Sequence, residues 1–414
     1  MLDNDMIEFL TYRNAMKSNY RKGVHALRCI LNNRKQAETF AGSLGGVSVV
    51  LGVSQPDGNS EALRALLEGS AVIDQATLTW LKNWWPEQCG SWDTLAADQG
   101  RCNAIATDPF LWERVGVSPV GAGKILAGLV GQDSRNFAAM QAVASSATAM
   151  QAVAASPVAI AAIYRSDVAL SAVDSEVSAA ATFYGADSVA MGKAVVILAG
   201  LDPAGYADMS AVAASATAMS AVAASATAMS AVAASDVALV ALYSNAEALS
   251  IAQGTTVGAA ALAGAGSVAT GKAAVKLAGL DPDDFADMAA VAASSTAMAA
   301  VAAAWETTES IIASSSVALN ALKNSGKCET IKEDVSGEKS VPFYSGLCFV
   351  FTAQITVSGD RCVIKATRPT GSFTLTLCSS VTTTTVNKFC KDPYVQCTDS
   401  GHSYANNYLY CYKI

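Results

Sequence analysis

The sequence predicts a multidomain α+β protein with a mixed N-terminal domain, a repetitive shaft of short Ala-rich helices and a C-terminal disulfide-rich all-β tip. Three observations predict this division. Composition changes twice along the 414 residues, the middle part repeats an Ala- and Ser-rich unit of ten residues, and seven of the ten cysteines follow residue 325. We therefore place the N-terminal domain at residues 1–115, the shaft at 116–325 and the tip at 326–414.

Charge and hydropathy exclude several classes of protein. The net charge of −8 argues against a nucleic-acid binder, which needs an excess of Lys and Arg. The opening MLDNDMIEFL has no basic stretch leading into an apolar one, so we expect no signal peptide. The uncharged span from Met209 to Ser235 is long enough to cross a bilayer, but it is mostly Ala with regular Ser and Thr. We therefore expect no membrane insertion.

The short unit of the shaft predicts separate helices. Ala favours helix, and Ser is a preferred N-cap. One continuous helix is excluded because ten residues leave the apolar stripe about 80° short of whole turns. We expect a string of two-turn helices that stack on neighbouring units, as in a solenoid, or on other subunits. The expected N-caps and inward apolar residues are Ser215, Ser225, Ser235, Met219, Val222, Met229 and Val232.

A longer repeat starts at Gly116, Gly185 and Gly264, so its two intervals are 69 and 79 residues. The difference of ten residues equals one short unit, which indicates that decapeptides are added or lost as modules. Each long repeat contains a Gly-Lys pair that a phosphate loop would follow with Ser or Thr. Here the next residue is Ile or Ala, so we expect a helix start with a solvated lysine. The pairs are Gly123-Lys124, Gly192-Lys193 and Gly271-Lys272.

The tip predicts β-strands. CFVFTAQITV and RCVIKATR flank the turn at 358–360 as a candidate hairpin, and 369–372 makes a second turn. The acidic KCETIKEDVSGEK before them is typical of a solvated connector. The dense cysteines favour a disulfide framework over a zinc site, because the tip has no CxxC motif and a single histidine. The disulfide candidates are Cys328, Cys348, Cys362, Cys378, Cys390, Cys397 and Cys411.

Six of the twelve tyrosines fall in the tip. In SYANNYLYCYKI, alternate tyrosines share one face of a final strand. That face either packs in a core or against another subunit, or forms an aromatic recognition surface. We take Tyr404, Asn406, Asn407 and Tyr408 as the candidate receptor-binding residues, with Tyr404 and the asparagines in the loop before the strand.

The sequence carries no catalytic signature. Its two histidines, His25 and His402, lie outside any nucleophile motif. We predict no enzymatic activity, no catalytic residues, no cofactor and no metal.

The shaft and its position between two other regions resemble the tail fibre proteins of tailed bacteriophages. Several of these carry runs such as AVAASATAM, and the similarity here rests on residues 137–165, 206–250 and 285–325. The resemblance implies a homotrimeric virion fibre, extracellular when functional. Its N-terminal domain would bind other tail proteins, and its tip would bind a host surface glycan or protein. The tip cysteines depart from the usual pattern, and the role of Cys29, Cys89 and Cys102 stays open.

Other classes remain as alternatives. A collar or head fibre would share the repeats. An ice-binding protein would also be rich in Ala and Thr, but its continuous helix needs a period near eleven. A capsule-degrading fibre would need a larger β-domain than residues 326–414 provide.

Overall fold

The computed structural model describes residues 92–116, 118–335, 339–355, 362–370, 374–379, 383–397 and 405–414. Most of the predicted N-terminal domain, with Cys29, Cys89 and His25, lies outside these residues. Contacts divide the chain into two compact units, Met1–Phe183 and Tyr184–Ile414. This division falls inside the predicted shaft. The described residues form helices followed by one antiparallel sheet, so the α+β class is confirmed.

The helices are short and follow one another closely. Those that start in the first unit are α1 (Trp92–Ala96), α2 (Gln99–Thr107), α3 (Pro109–Val115), α4 (Pro119–Leu129), α5 (Met140–Ala144), α6 (Ala147–Ala154), α7 (Pro157–Tyr164), α8 (Asp167–Asp174) and α9 (Val177–Tyr184). Those of the second unit are α10 (Ser188–Leu198), α11 (Met209–Ala213), α12 (Ala216–Ala224), α13 (Ala226–Ala234), α14 (Asp236–Tyr243), α15 (Ala246–Gln253), α16 (Thr256–Ala263), α17 (Ser267–Leu277), α18 (Met288–Ala293), α19 (Ser295–Ala303), α20 (Trp305–Ser314) and α21 (Ser316–Asn324).

A single serine makes the corner between consecutive two-turn helices. Ser225 ends α12 and begins α13 with an extended backbone, φ −95° and ψ 114°. Its hydroxyl accepts a hydrogen bond from Ala228 N at 3.2 Å, which satisfies one of the free amides of the new helix. The two helices meet at 103°. The predicted string of Ser-capped helices is therefore confirmed here, and Met219 and Val222 are fully buried as expected.

Most helices of the second unit pack on the helix three positions further along the chain. The contacting pairs include α10 with α13, α12 with α15, α13 with α16, α14 with α17, and α17 with α20. Three helices therefore complete one turn, and their Met, Val and Ala side chains fill the centre. Helices of this length are unstable alone, and here they find their partners in the same chain. The solenoid alternative is the one that the structure adopts.

The glycine of each Gly-Lys pair lets two helices touch. A Cβ on Gly192 would lie 2.4 Å from the carbonyl carbon of Asp208, where α11 begins, and Gly123 and Gly271 meet their neighbours in the same way. The expectation of a helix start is wrong, because the pairs lie inside α4, α10 and α17. The expectation of a solvated lysine is wrong for Lys124, which is buried with Nζ 2.7 Å from Asp93 Oδ1, whereas Lys193 and Lys272 are partly exposed.

A turn follows each of these longer helices. Gly200 has φ +77°, and the amides of Gly200 and Leu201 donate to Ile197 O and Val196 O. This is the Schellman arrangement, which favours glycine. Residues 203–205 then form a 3₁₀ turn capped by Asp202. The Leu-Asp-Pro segment therefore inserts a turn between two stacked helices.

The tip is one sheet of seven antiparallel strands in the order β1-β7-β3-β6-β4-β5, with β2 also paired to β6. Its strands are β1 (Cys328–Val335), β2 (Lys339–Pro342), β3 (Leu347–Ile355), β4 (Cys362–Thr367), β5 (Thr374–Cys378), β6 (Thr383–Cys397) and β7 (Ala405–Lys413). Two sequence expectations are wrong. β3 and β4 do not form a hairpin, because β6 lies between them, and the acidic segment 328–335 is strand β1 rather than a connector.

One face of the sheet carries the apolar core of the tip, and the opposite face packs partly on the helices. Inward residues of β3 to β7, such as Val350 and Leu409, form one apolar cluster with Phe343, and Ile331 of β1 and Val341 of β2 pack against it. On the other face Tyr412 is fully buried, and its hydroxyl donates to Ala292 O at 2.5 Å. Part of the tyrosine face predicted from alternation therefore packs on the helices that precede it.

A buried ion pair also joins the sheet to the helices. The guanidinium of Arg368, which follows β4, binds the carboxylate of Glu309 in α20, with Nη2 3.1 Å from Oε1. The same carboxylate accepts from Phe389 N at 3.0 Å, and the Trp305 ring stacks 4.0 Å from the guanidinium. Both carboxylate oxygens and both terminal guanidinium nitrogens therefore meet a partner, as a buried pair requires.

Among the described residues, no single helix is long and apolar enough to span a bilayer. Three pairs of consecutive helices reach that length and composition together, each bent by more than 40° at its break.

Candidate recognition surface on the terminal sheet

The structure separates the four candidate receptor-binding residues. Tyr404 lies outside the described residues. Asn406 and Asn407 belong to strand β7, so their expected place in a loop is wrong. The Asn407 side chain is fully buried, and its amide donates to Glu333 O at 3.3 Å, because the strand alternation turns it inward. Tyr408 is half-buried on the outer face.

Tyr408 lies in an open depression of about 320 Å³. We call it the tyrosine groove and define it by its lining residues, which come from β1, β3 and β7: Thr330, Thr352, Gln354, Tyr408 and Tyr410. Strand pairing brings them together, since Tyr410 lies opposite both Thr330 and Thr352, and Tyr408 lies opposite Gln354. The groove therefore combines two aromatic rings with hydroxyl and amide groups, and none of these lining residues is charged.

A β-bulge sets the outer face of β3. The register shifts between Val350 and Thr352. Val350 points into the sheet core before the shift, and Ala353 and Ile355 do so after it. Thr352 and Gln354 therefore point outward, beside the tyrosines. Alternation alone assigns the face of β7, but the bulge could not be located in the sequence.

Tyr410 is held in place from two sides. Its ring lies 5.0 Å from that of Phe351, with 30° between the planes. Burial, together with the hydrogen bond that its hydroxyl donates to the Cys328 sulfur, raises the pKa of Tyr410. The phenol therefore stays neutral at physiological pH, and it offers the groove its ring rather than its hydroxyl.

A second cleft of about 570 Å³ lies in the first unit, between α4, α5 and α8. Its walls are mainly small residues with Gln141 and Asp167, and its lining contains no aromatic side chain. This cleft therefore offers few side chains that could stack on a ligand or hydrogen-bond to it. The tyrosine groove is the stronger candidate for recognition.

The tip contains thiols where disulfides were expected. Cys328, Cys348, Cys390 and Cys411 are free, whereas Cys362, Cys378 and Cys397 lie on strands and their side chains are not described. The prediction took dense cysteines as compensation for a small core. Here Cys348, Cys390 and Cys411 are themselves fully buried members of the sheet core, as small apolar side chains can be.

Comparisons with known proteins add no assignment. The chain matches no family model and no curated protein. Within the described residues, no group of three or more His, Cys, Asp or Glu side chains is arranged to hold a metal ion.

Proposed function

We propose that the chain is a fibre protein of a tailed bacteriophage that attaches the virion to the host cell surface through the tyrosine groove. The observation that carries the proposal is the open, uncharged groove on a sheet that follows a modular helical repeat. Stacked modules suit a spacer, because units can be added without a new core. An aromatic and polar surface suits recognition, because Tyr gives large contact area at small entropy cost.

The chemistry of the groove fits a neutral glycan better than a charged ligand. Tyr408 and Tyr410 can stack on the apolar faces of sugar rings, while the Thr hydroxyls and the Gln354 amide can bond sugar hydroxyls. A phosphate or an acidic peptide would need Lys or Arg, and neither lines the groove. A host protein surface rich in hydroxyl groups is the other partner that this chemistry allows.

The remaining parts of the proposal rest on the resemblance to tail fibres. They are a homotrimer, attachment of residues 1–115 to other tail proteins, location in the virion outside the cell, and no catalytic activity. The structure gives the trimer no added support, because the shaft helices stack within one chain. We also propose that most of the seven tip cysteines form disulfides in the oxidising medium outside the cell.

The test is binding of the labelled full-length protein to the bacterium on which the virion multiplies. Tyr408→Ala should weaken binding by at least about fivefold, because truncating a central aromatic contact commonly costs more than about 1 kcal/mol. The matched control is Tyr394→Ala, a half-buried tyrosine of β6 outside the groove, which should bind as wild type. A folded protein that never binds these cells favours a collar or head fibre instead.

A further inference from the structure

The pairing of β6 with β3 extends the outer face of the sheet beyond the tyrosine groove. Thr385 lies opposite Thr352, and Thr383 lies opposite Gln354. Both β6 threonines are exposed, and Val386, beside Thr385, packs against the sheet core. Because successive residues of a strand face opposite sides, Thr383 and Thr385 point to the same side as the groove.

Strand β1 extends the same face on the other side of the groove. Lys332 is exposed and lies opposite Tyr408, while Ile331 beside it packs against the core. The described side chains of the outer face therefore form two rows across β1, β7, β3 and β6. Neighbouring strands lie about 4.8 Å apart, so each row is about 14 Å long. The first row is Thr330, Tyr410, Thr352 and Thr385, and the second is Lys332, Tyr408, Gln354 and Thr383.

The preceding helices limit this face on one side. Next to the first row lie Cys328, Tyr412 and Phe349. Tyr412 and Phe349 are fully buried, and the Tyr412 hydroxyl donates to Ala292 O in α18. A ligand that runs along the strands therefore meets the helices just past Tyr410. A ligand that runs across the strands meets an aromatic ring with polar side chains on both sides of it.

The chemistry of the two rows favours a sugar chain over a peptide. The backbone groups of β7 and β3 are used within the sheet, because each of these strands pairs on both sides. An added peptide strand needs free backbone groups at a sheet edge, and the middle of this face has none. The side chains instead offer hydroxyl and amide groups that both donate and accept hydrogen bonds, beside two aromatic rings. Sugar rings present apolar faces and hydroxyl groups that match this set.

The charge of the rows favours a neutral chain. Lys332, at the β1 end of the second row, is the single charged group among the eight positions. The β6 end of both rows consists of threonines, which bear no charge and can bond sugar hydroxyls.

We propose that the tyrosine groove is the central part of a longer site for a linear, neutral oligosaccharide, which lies across the strands and reaches Thr383 and Thr385. This rests on the proposed function, because it names the partner of the same groove. The two β6 threonines bind sugar units beyond those that stack on the tyrosine rings. Affinity therefore depends on the length of the sugar chain.

The test measures binding of the full-length protein to sugar chains of increasing length. Oligosaccharides released from the surface polysaccharide of the bacterium on which the virion multiplies are separated by size and titrated by calorimetry. The affinity of the wild type should rise with length and level off once a chain spans the rows. Thr383→Ala combined with Thr385→Ala should weaken binding of the long chains at least about fivefold, because two hydrogen bonds to the sugars are lost. Binding of the shortest chains should not change.

The matched control is Thr374→Ala combined with Thr376→Ala. These threonines are also exposed and two residues apart, but they lie on β5, which pairs with β4 and not with the strands of the rows. The control should bind chains of every length as the wild type does. Thermal unfolding checks that both double variants are folded.

Three outcomes separate the extended site from the proposed function. Equal affinity for short and long chains, or a β6 double variant that binds long chains like the wild type, overturns the extended site. Binding to cells that depends on Tyr408 then leaves the proposed function standing. Cells that are bound through Tyr408 while no released oligosaccharide is bound overturn the sugar ligand in favour of a protein receptor. Absence of any binding to the cells overturns both.

Discussion

The shaft helices from α10 onward belong to the same compact unit as the terminal sheet, yet the two regions are specified in different ways. In the shaft, most helix starts are set by a nearby capping residue such as Ser225, and most helices of the second unit pack three helices away. In the sheet, most strands pair with residues far along the chain; Cys328 lies opposite Tyr412. Local chemistry therefore determines the shaft, and long-range register determines the tip.

The junction between the two regions should be the most sensitive point. Glu309→Ala leaves Arg368 buried without its partner, which costs about 3–5 kcal/mol of unfolding free energy. Urea unfolding followed by circular dichroism would measure it. The matched control is Lys272→Ala, which breaks the exposed pair with Asp283 and should cost less than about 1 kcal/mol.

If Glu309→Ala does not fold, a double variant tests the contribution of the same ion pair. Replacing both partners, as Glu309→Gln with Arg368→Met, removes the unpaired charge and should recover most of the loss. If Glu309→Ala costs no more than Lys272→Ala, the ion pair does not hold the sheet to the helices.

The next largest effect should come from the helix contact at Gly192. Gly192→Ala places a methyl group 2.4 Å from the backbone at Asp208 and should cost about 1–3 kcal/mol, although Ala favours helix. Gly205→Ala is the control, because a Cβ there meets no atom within 4 Å. Thermal unfolding of the two variants compares them directly, and equal stabilities would contradict the close approach.

A corner serine should matter less than a buried glycine. Ser225→Ala removes the bond to Ala228 N and should cost about 1 kcal/mol. Ser220→Ala, at an exposed position inside α12, should be nearly neutral. Chemical unfolding distinguishes them, and a Ser220 effect as large as that of Ser225 would show that the caps do not set the corners.

Deleting one whole module should have the smallest effect on stability. Removing Ser215 to Ala224 takes out one whole module, so we expect a folded, shorter protein with unchanged helical content per residue. Removing only Ser215 to Met219 cuts a module in half and should abolish cooperative unfolding. Circular dichroism with thermal melting tests both, and a whole-module deletion that aggregates contradicts modularity.

The sequence predicts most of the shaft because its signals repeat within ten residues. The caps at Ser215 and Ser225 and the burial of Met219 and Val222 all follow from that local pattern. The sequence did not predict why the glycine of the Gly-Lys pair recurs, since the backbone that Gly192 approaches lies 16 residues away.

The tip was less predictable because the decisive contacts are distant. Alternation grouped Tyr408, Tyr410 and Tyr412 on one face, but only the position of the preceding helices decides that Tyr412 is covered and Tyr408 is not. The turn signal at 358–360 suggested a hairpin, whereas β6, far along the chain, separates the two strands. Cysteine density likewise suggested bonds where the structure has a core of buried thiols.

Because helices pack on the third helix along, the number of helices in the shaft decides on which side of the stack the following residues lie. Between α10 and α17, the equivalent helices of two long repeats, there is one helix more than two full turns require. In consequence α10 stacks in a row with α13 and α16, whereas α17 stacks in the row of α14 and α20. Gaining or losing one decapeptide therefore moves the residues that follow to the next of the three sides of the stack. Only a change of three modules leaves them on the same side.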